Sequence, residues 1–173
     1  MFLKTVKFFF IKKSLKKSLQ DTVMSRFVGQ FSTVGLLIEK INLGKVDVIL
    51  DVLLANGFDA NNISVLVFDK RKNDKQSSTF ACFGCEEVNY KGAFKEGICT
   101  EFIHSNFDLL INYYQDSNPL LLAITNQSKA SFKAGLPING YLLNDLIIQT
   151  SLDNEKAFAN ELIKYIKILK NRI

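Results

Sequence analysis

"NFDLLINYYQDSNPLLLAITNQSKASFKAG", residues 106–135, reads as a strand, a helix and a second strand. "FDLLINYY" is a near-continuous apolar run, as expected of a strand covered on both faces. Pro119 stands where a helix begins and a missing N–H costs little, with Asn118 before it as the cap. "ASFKAGL" is short and apolar, and reads as the returning strand.

The same grammar extends toward the N-terminus. "STVGLLIE" (Ser32–Glu39) reads as a buried strand, and "GKVDVILDVLLANGF" as a helix with the stripe Val46, Ile49, Leu50 and Leu53 and a stop at Asn56–Gly57. "ISVLVFD" (Ile63–Asp69) is β-branched and apolar throughout, a further strand. Strand, helix and strand in so short a span form a βαβ unit, whose crossover makes the strands parallel. Residues 70–78, "KRKNDKQSS", are a polar loop without glycine, and residues 79–97 look irregular and aromatic. "EGICTEFIHSN" reads as a helix, "LNDLIIQT" as the last strand, and "NEKAFANELIKYIKILKNRI" as a closing helix with the stripe Phe158, Leu162, Tyr165, Ile166 and Leu169. The fold class is α/β, a three-layer sandwich around a mostly parallel sheet of about five strands.

The chain has 173 residues, 47% of them hydrophobic, which suits one domain with a real core and excludes a disordered composition. No apolar run approaches the roughly 20 residues of a membrane-spanning helix. Charge divides the chain into an arm, residues 1–23, and a body, residues 24–173. Six of the 22 basic and one of the 17 acidic side chains lie in the arm, so it carries all of the net +5 and the body is balanced. Such asymmetry points to a nucleic-acid-facing or membrane-facing tail. A helix there places Phe8, Ile11, Leu15 and Leu19 on one stripe and Lys12, Lys13, Lys16 and Lys17 opposite. Such a helix can lie on an anionic membrane surface, or it can pack on its own domain and offer lysines to RNA, a ribosome or a protein partner. "FFFI" is too short for a secretory signal and no small-residue cleavage site follows; arginine, which an organellar presequence favours, is absent from the arm. Met24 offers an alternative start that would remove the arm's charge, but its amphipathic order argues against that.

Three cysteines, Cys82, Cys85 and Cys99, cannot all pair within one chain, which fits a reducing cytoplasm, with the inner-membrane surface as the peripheral alternative. "CFGC" (Cys82–Cys85) has redox or metal spacing. Cys99 and His104 could complete a zinc set, but the flanking Phe80 and Phe83 favour ordinary buried thiols, and no cofactor or metal is expected. Neither G-x-G-x-x-G, a P-loop nor G-x-S-x-G occurs, so no catalytic residue is assigned and enzyme status stays open. Asp108 and Asp145 hold analogous places early in two strands; paired acids could bind a metal or serve as acid and base, but strand entry is the end away from the usual site, so each is expected to cap a neighbouring backbone N–H or to pair with a lysine. Ser128, Lys129, Ser131 and Lys133 cluster between a helix end and a strand, either as an anion site or as a solvated edge. A pocket in such a fold belongs at the strands' carboxyl ends, here near Asp69–Lys72 and Tyr113–Ser117.

"FDLLINYY…NPLLLAITNQSKASFKAG", with "YLLNDLIIQT" and a helix ending "YIKIL", resembles a family of uncharacterised proteins from Bacteroidota genomes that carry a domain of unknown function with a Rossmann-like body. The resemblance runs from "KKSLKKSL" and "STVGLLIE" to the end. Its C-terminal half is the specific part, and Cys82 and Cys85 lie outside the shared pattern. The same stretch is similar to the N-terminal Rossmann-like domain of heptosyltransferase-type glycosyltransferases. That similarity implies a fold more than an activity, because those enzymes hold the nucleotide sugar mainly in a second domain for which this chain has no room. The expectation is a non-enzymatic interaction protein. The alternative is an enzyme or subunit acting on a phosphorylated or sugar-like molecule near Lys129 and Lys133.

Overall fold

The computed structural model describes residue 11 and residues 30–70, 79–115, 118–138 and 142–171. Six parallel strands form one sheet: β1 (Val34–Glu39), β2 (Ile63–Phe68), β3 (Ala81–Phe83), β4 (Leu109–Tyr113), β5 (Phe132–Gly135) and β6 (Leu146–Ile147), in the order β3-β2-β1-β4-β5-β6. Among the described residues four helices cover it: α1 (Val46–Ala55), α2 (Ile98–His104), α3 (Pro119–Gln127) and α4 (Glu155–Lys170). The Asn118 side chain accepts a hydrogen bond from the Leu120 N–H at 3.0 Å, and Pro119 opens α3 as its sequence requires.

Side chains alternate across the sheet, as the two-residue period of a strand demands. Leu36 and Ile38 of β1 enter the layer built by α1 and α4, whereas Leu37 enters the layer built by α2 and α3. β2 divides in the same way, with Val65 and Val67 against Leu66 and Phe68. α1 carries the chain from β1 to β2, and α3 carries it the other way, from β4 to β5. Crossovers of one hand therefore place the two helices on opposite faces.

Two details depart from the sequence reading. The sheet has six strands rather than about five, because β3 forms within the stretch that looked irregular: Leu66, Val67 and Phe68 pair with Ala81, Cys82 and Phe83. Three residues are too few to show a period. Tyr165 does not belong to the buried stripe of α4. It is 40% exposed, and Ile163 is buried instead beside Phe158, Leu162 and Ile166.

Candidate functional site

β1 and β4 are neighbours whose chains leave in opposite directions, β1 toward β2 and β4 toward β5. That divergence opens a crevice at the carboxyl ends of the strands, where open α/β sheets take ligands. Glu39 ends β1 and Lys40 follows it, Asp69 follows β2 and Tyr114 follows β4. Lys40 Nζ lies 2.6 Å from Asp69 Oδ2, and the Asp69 side chain is 10% exposed. The turn after β1 is no glycine-rich phosphate loop; it winds as a 3-10 helix, Lys40–Lys45, directly into α1. Within it Asn42 is 7% exposed, and among the described residues its Nδ2 meets no acceptor. A buried unpaired donor costs about 1–3 kcal/mol, so Asn42→Leu should raise stability by about 1–2 kcal/mol, read from the urea midpoint. A loss instead would mean that the amide has a partner in solution.

Behind the crevice runs a buried polar chain. Thr125 Oγ1, on α3, donates to Asn112 Oδ1, on β4, at 2.9 Å. Thr125 has one hydroxyl proton, so the 2.6 Å contact between Tyr114 and Thr125 must have the Tyr114 phenol as donor. Asn112 Nδ2 then donates to Asn144 Oδ1 at 2.6 Å, and Asn144 Nδ2 donates to the Leu136 carbonyl at 3.3 Å. Every step is fixed in direction by the one before. Burial pushes the Tyr114 phenol above its ordinary range, more than the Thr125 hydrogen bond lowers it, and the negative charge of Glu39 adds to the rise. Tyr114 is therefore held as a neutral donor, which suits a structural clamp and not a general base.

The two aspartates singled out by position do the same job on different strands. Asp108 Oδ2 accepts the N–H groups of Ser32 and Thr33, each at 2.8 Å, and so fastens the start of β1 to β4. Asp145 Oδ2 accepts the Lys133 N–H at 2.8 Å and fastens β6 to β5. Burial raises the Asp108 carboxyl. The backbone groups of Thr33 and Ser32 and the Thr33 hydroxyl together outweigh it and hold the pKa below the usual value. The stability this contributes is present above the unfolded pKa of about 3.9 and is lost as pH falls through the lower folded value. Asp108→Asn should cost about 1–2 kcal/mol near neutral pH and flatten the acid side of the stability profile. Urea midpoints at neutral and acid pH check both effects.

Ser128, Lys129, Ser131 and Lys133 all lie where α3 leads into β5, at the strand-start edge and away from the crevice. The Ser128 hydroxyl accepts the Ala130 N–H at 3.2 Å. Burial lowers the Lys133 pKa, and the charge of Asp145 opposes the shift. The end of α3 points its partial negative charge at this cluster, so an anion held there depends on the lysine charges to offset it. Cys82 and Cys85 are half-buried and Cys99 is buried. Among the described residues, no group of three or more His, Cys, Asp and Glu could hold a metal.

One residue of the arm is described, and it is informative. Ile11 is 2% exposed and belongs to the same apolar cluster as Leu37, Phe102, Ile103, Leu120 and Leu121, on the α2–α3 face. Lys12, Lys13, Lys16 and Lys17 lie outside the described residues, as do 71–72 and 116–117 of the expected pocket.

A family of unknown function (DUF6913) matches residues 7–169. The chain belongs to that family. No curated protein and no solved structure matches it. Among the described residues of this DUF6913 chain, no helix is long and apolar enough to cross a membrane.

Sequence reasoning placed Asp108 and Asp145 correctly but passed over Asn42, Asn112, Thr125 and Asn144. An asparagine inside the apolar run "LLINYY" is the signal that could have marked Asn112, because a polar side chain in a strand buried on both faces needs a partner.

Proposed function

We propose that this DUF6913 chain is a non-enzymatic interaction protein whose lysine-rich N-terminal segment contacts a polyanion, and that the polyanion is RNA, free or in a ribosome. The burial of Ile11 against the body carries this reading. Ile11, committed to the protein's own core, is not available to lipid. Helical spacing in the sequence sets Lys12, Lys13, Lys16 and Lys17 opposite Ile11, a pattern suited to phosphate contact. Its place is the cytoplasm, a reducing compartment that suits an odd count of three cysteines.

The test is a pull-down from native lysate with the full chain and with a version starting at Met24, at low and high salt. RNA should come down with the full chain alone and leave at high salt. Four lysines on single-stranded phosphates predict a slope of log K against log salt of about −3. Binding that follows anionic lipid and ignores RNA would replace this reading with membrane-surface attachment.

A second reading has one observation behind it. The unpaired Asn42 amide stands at the turn after β1, beside a crevice suited to a small ligand. It supports the enzyme alternative, a protein acting on a phosphorylated or sugar-like molecule and related to the acceptor-side domain of glycosyltransferases. A thermal-shift screen with sugar phosphates tests it, and a shift that survives replacement of both Lys129 and Lys133 would move the site to the crevice.

A further inference from the structure

We propose that a cleft on the α2–α3 face takes one nucleotide unit of single-stranded RNA. This rests on the RNA reading above and extends it from the N-terminal segment onto the body. The cleft has a volume of about 350 Å³ and is lined by Lys91, Gly92, Phe94, Ile103, His104 and Gln127, among others. That is the low end of the range for small-molecule sites.

Its first wall is a rigid turn. Val88 and Phe94 form an antiparallel bridge. Asn89 Oδ1 accepts the N–H groups of Lys91 at 2.8 Å and Ala93 at 3.2 Å, and the Asn89 N–H donates to the Ala93 carbonyl at 2.9 Å. Gly92, at φ 81°, supplies the left-handed residue that the turn needs. The second wall is the end of α2, with His104, and the end of α3, with Gln127. The Lys129 N–H donates to the Ile103 carbonyl at 3.1 Å, which fixes the exposed Lys129 beside this wall.

Aromatic faces and cations alternate along the turn, the combination that single-stranded nucleic acid requires. Phe94 lines the cleft, Tyr90 is 64% exposed, and Lys91 Nζ stands 5.6 Å from the Tyr90 ring centroid. Two helix C-termini meet at the second wall, and their partial negative charge favours hydrogen-bond donors over anions. A base therefore belongs inside, with its edge toward His104 and Gln127, and the phosphate belongs at the rim with Lys91 and Lys129. Phe94 and Ile103 share the apolar cluster that holds Ile11, so Ile11 lies on the same face. Glu101, one helical turn before His104, is an acid on this edge, and Glu101→Gln should strengthen binding.

The experiment is fluorescence anisotropy of a short labelled oligoadenylate RNA with the full chain across a salt series. Tyr90→Ala should weaken binding about 5- to 100-fold with the salt slope unchanged, because stacking releases no counterions. Lys91→Ala with Lys129→Ala should weaken binding and reduce the slope by about 1.4. All three side chains are exposed, so circular dichroism should show an intact fold. If the version starting at Met24 loses RNA while the cleft variants bind normally, the cleft proposal is overturned and the reading of the segment stands. If the cleft variants fail and the Met24 version binds normally, the cleft stands and that reading falls. AMP binding as tightly as the RNA would overturn the RNA assignment in favour of a free nucleotide. No RNA binding at low salt would overturn both.

Discussion

Thr125→Val is expected to cost the fold about 2–5 kcal/mol, out of proportion to a change of one hydroxyl for one methyl. Valine matches threonine in shape, so no cavity opens. What is lost is the central member of the buried chain. The Tyr114 phenol loses the Thr125 hydroxyl as its acceptor and Asn112 Oδ1 loses a donor, both at fully buried sites. Each stranded group carries its full desolvation cost of about 1–3 kcal/mol. Thr125→Ser keeps the hydroxyl and should lose only about 1 kcal/mol for the missing methyl. Tyr114→Phe removes only the head of the chain and should cost about 1 kcal/mol. In the double variant the two losses should fall short of additive by at least about 0.5 kcal/mol, because the second change strands nothing new. Urea midpoints at an unchanged m-value measure all four proteins. A loss below about 0.5 kcal/mol for Thr125→Val would show that water reaches these groups.

Gly135→Ala should be nearly as damaging, at about 2–4 kcal/mol, for a steric reason. A Cβ at Gly135 would stand 2.5 Å from the Asn112 carbonyl oxygen, 2.7 Å from Asn144 Nδ2 and 2.8 Å from Asn112 Cβ. Two of those atoms are fixed on β4, which pairs with β5 through this register. Relief requires β5 to move away, or Asn144 to give up its bond to Asn112. Gly44→Ala is the control. Nothing lies within 4 Å of a Cβ there, and the loss of unfolded-state freedom should leave stability unchanged or raised by about 0.4–1 kcal/mol. Thermal midpoints of the two variants should move in opposite directions or by very different amounts. Equal shifts would mean that β5 has slack that the close contact at Gly135 denies.

The strands read best where both faces are buried. "GLLI", "VLVF" and "LLINYY" carry enough apolar residues to announce β1, β2 and β4 without help from their neighbours. α3 was legible from one pair, Asn118 and Pro119, because a cap acts over two residues and needs no tertiary partner. β3 was hard for the opposite reason. It has three residues, and sequence shows no period over so few; it exists because β2 offers it a free edge. Tyr165 misled because its aromatic character fits a buried stripe, while the turn of α4 against α1 selects Ile163.

The candidate sites divide along the same line. Local sequence determined the α/β class, the positions of the long elements, the capping role of Asp108 and Asp145, and the confinement of net charge to the first 23 residues, because each depends on a period, a cap or a count. The tertiary structure decided the order β3-β2-β1-β4-β5-β6 and with it the crevice between β1 and β4. It also brought Tyr114, Thr125, Asn112 and Asn144 into one hydrogen-bonded chain, left Asn42 unpaired, sank Ile11 into the body and set Lys91 beside His104. These are pairings between residues far apart in the chain. No local preference specifies them; they exist only once the crossovers have closed and the free energy of burial has selected which surfaces meet.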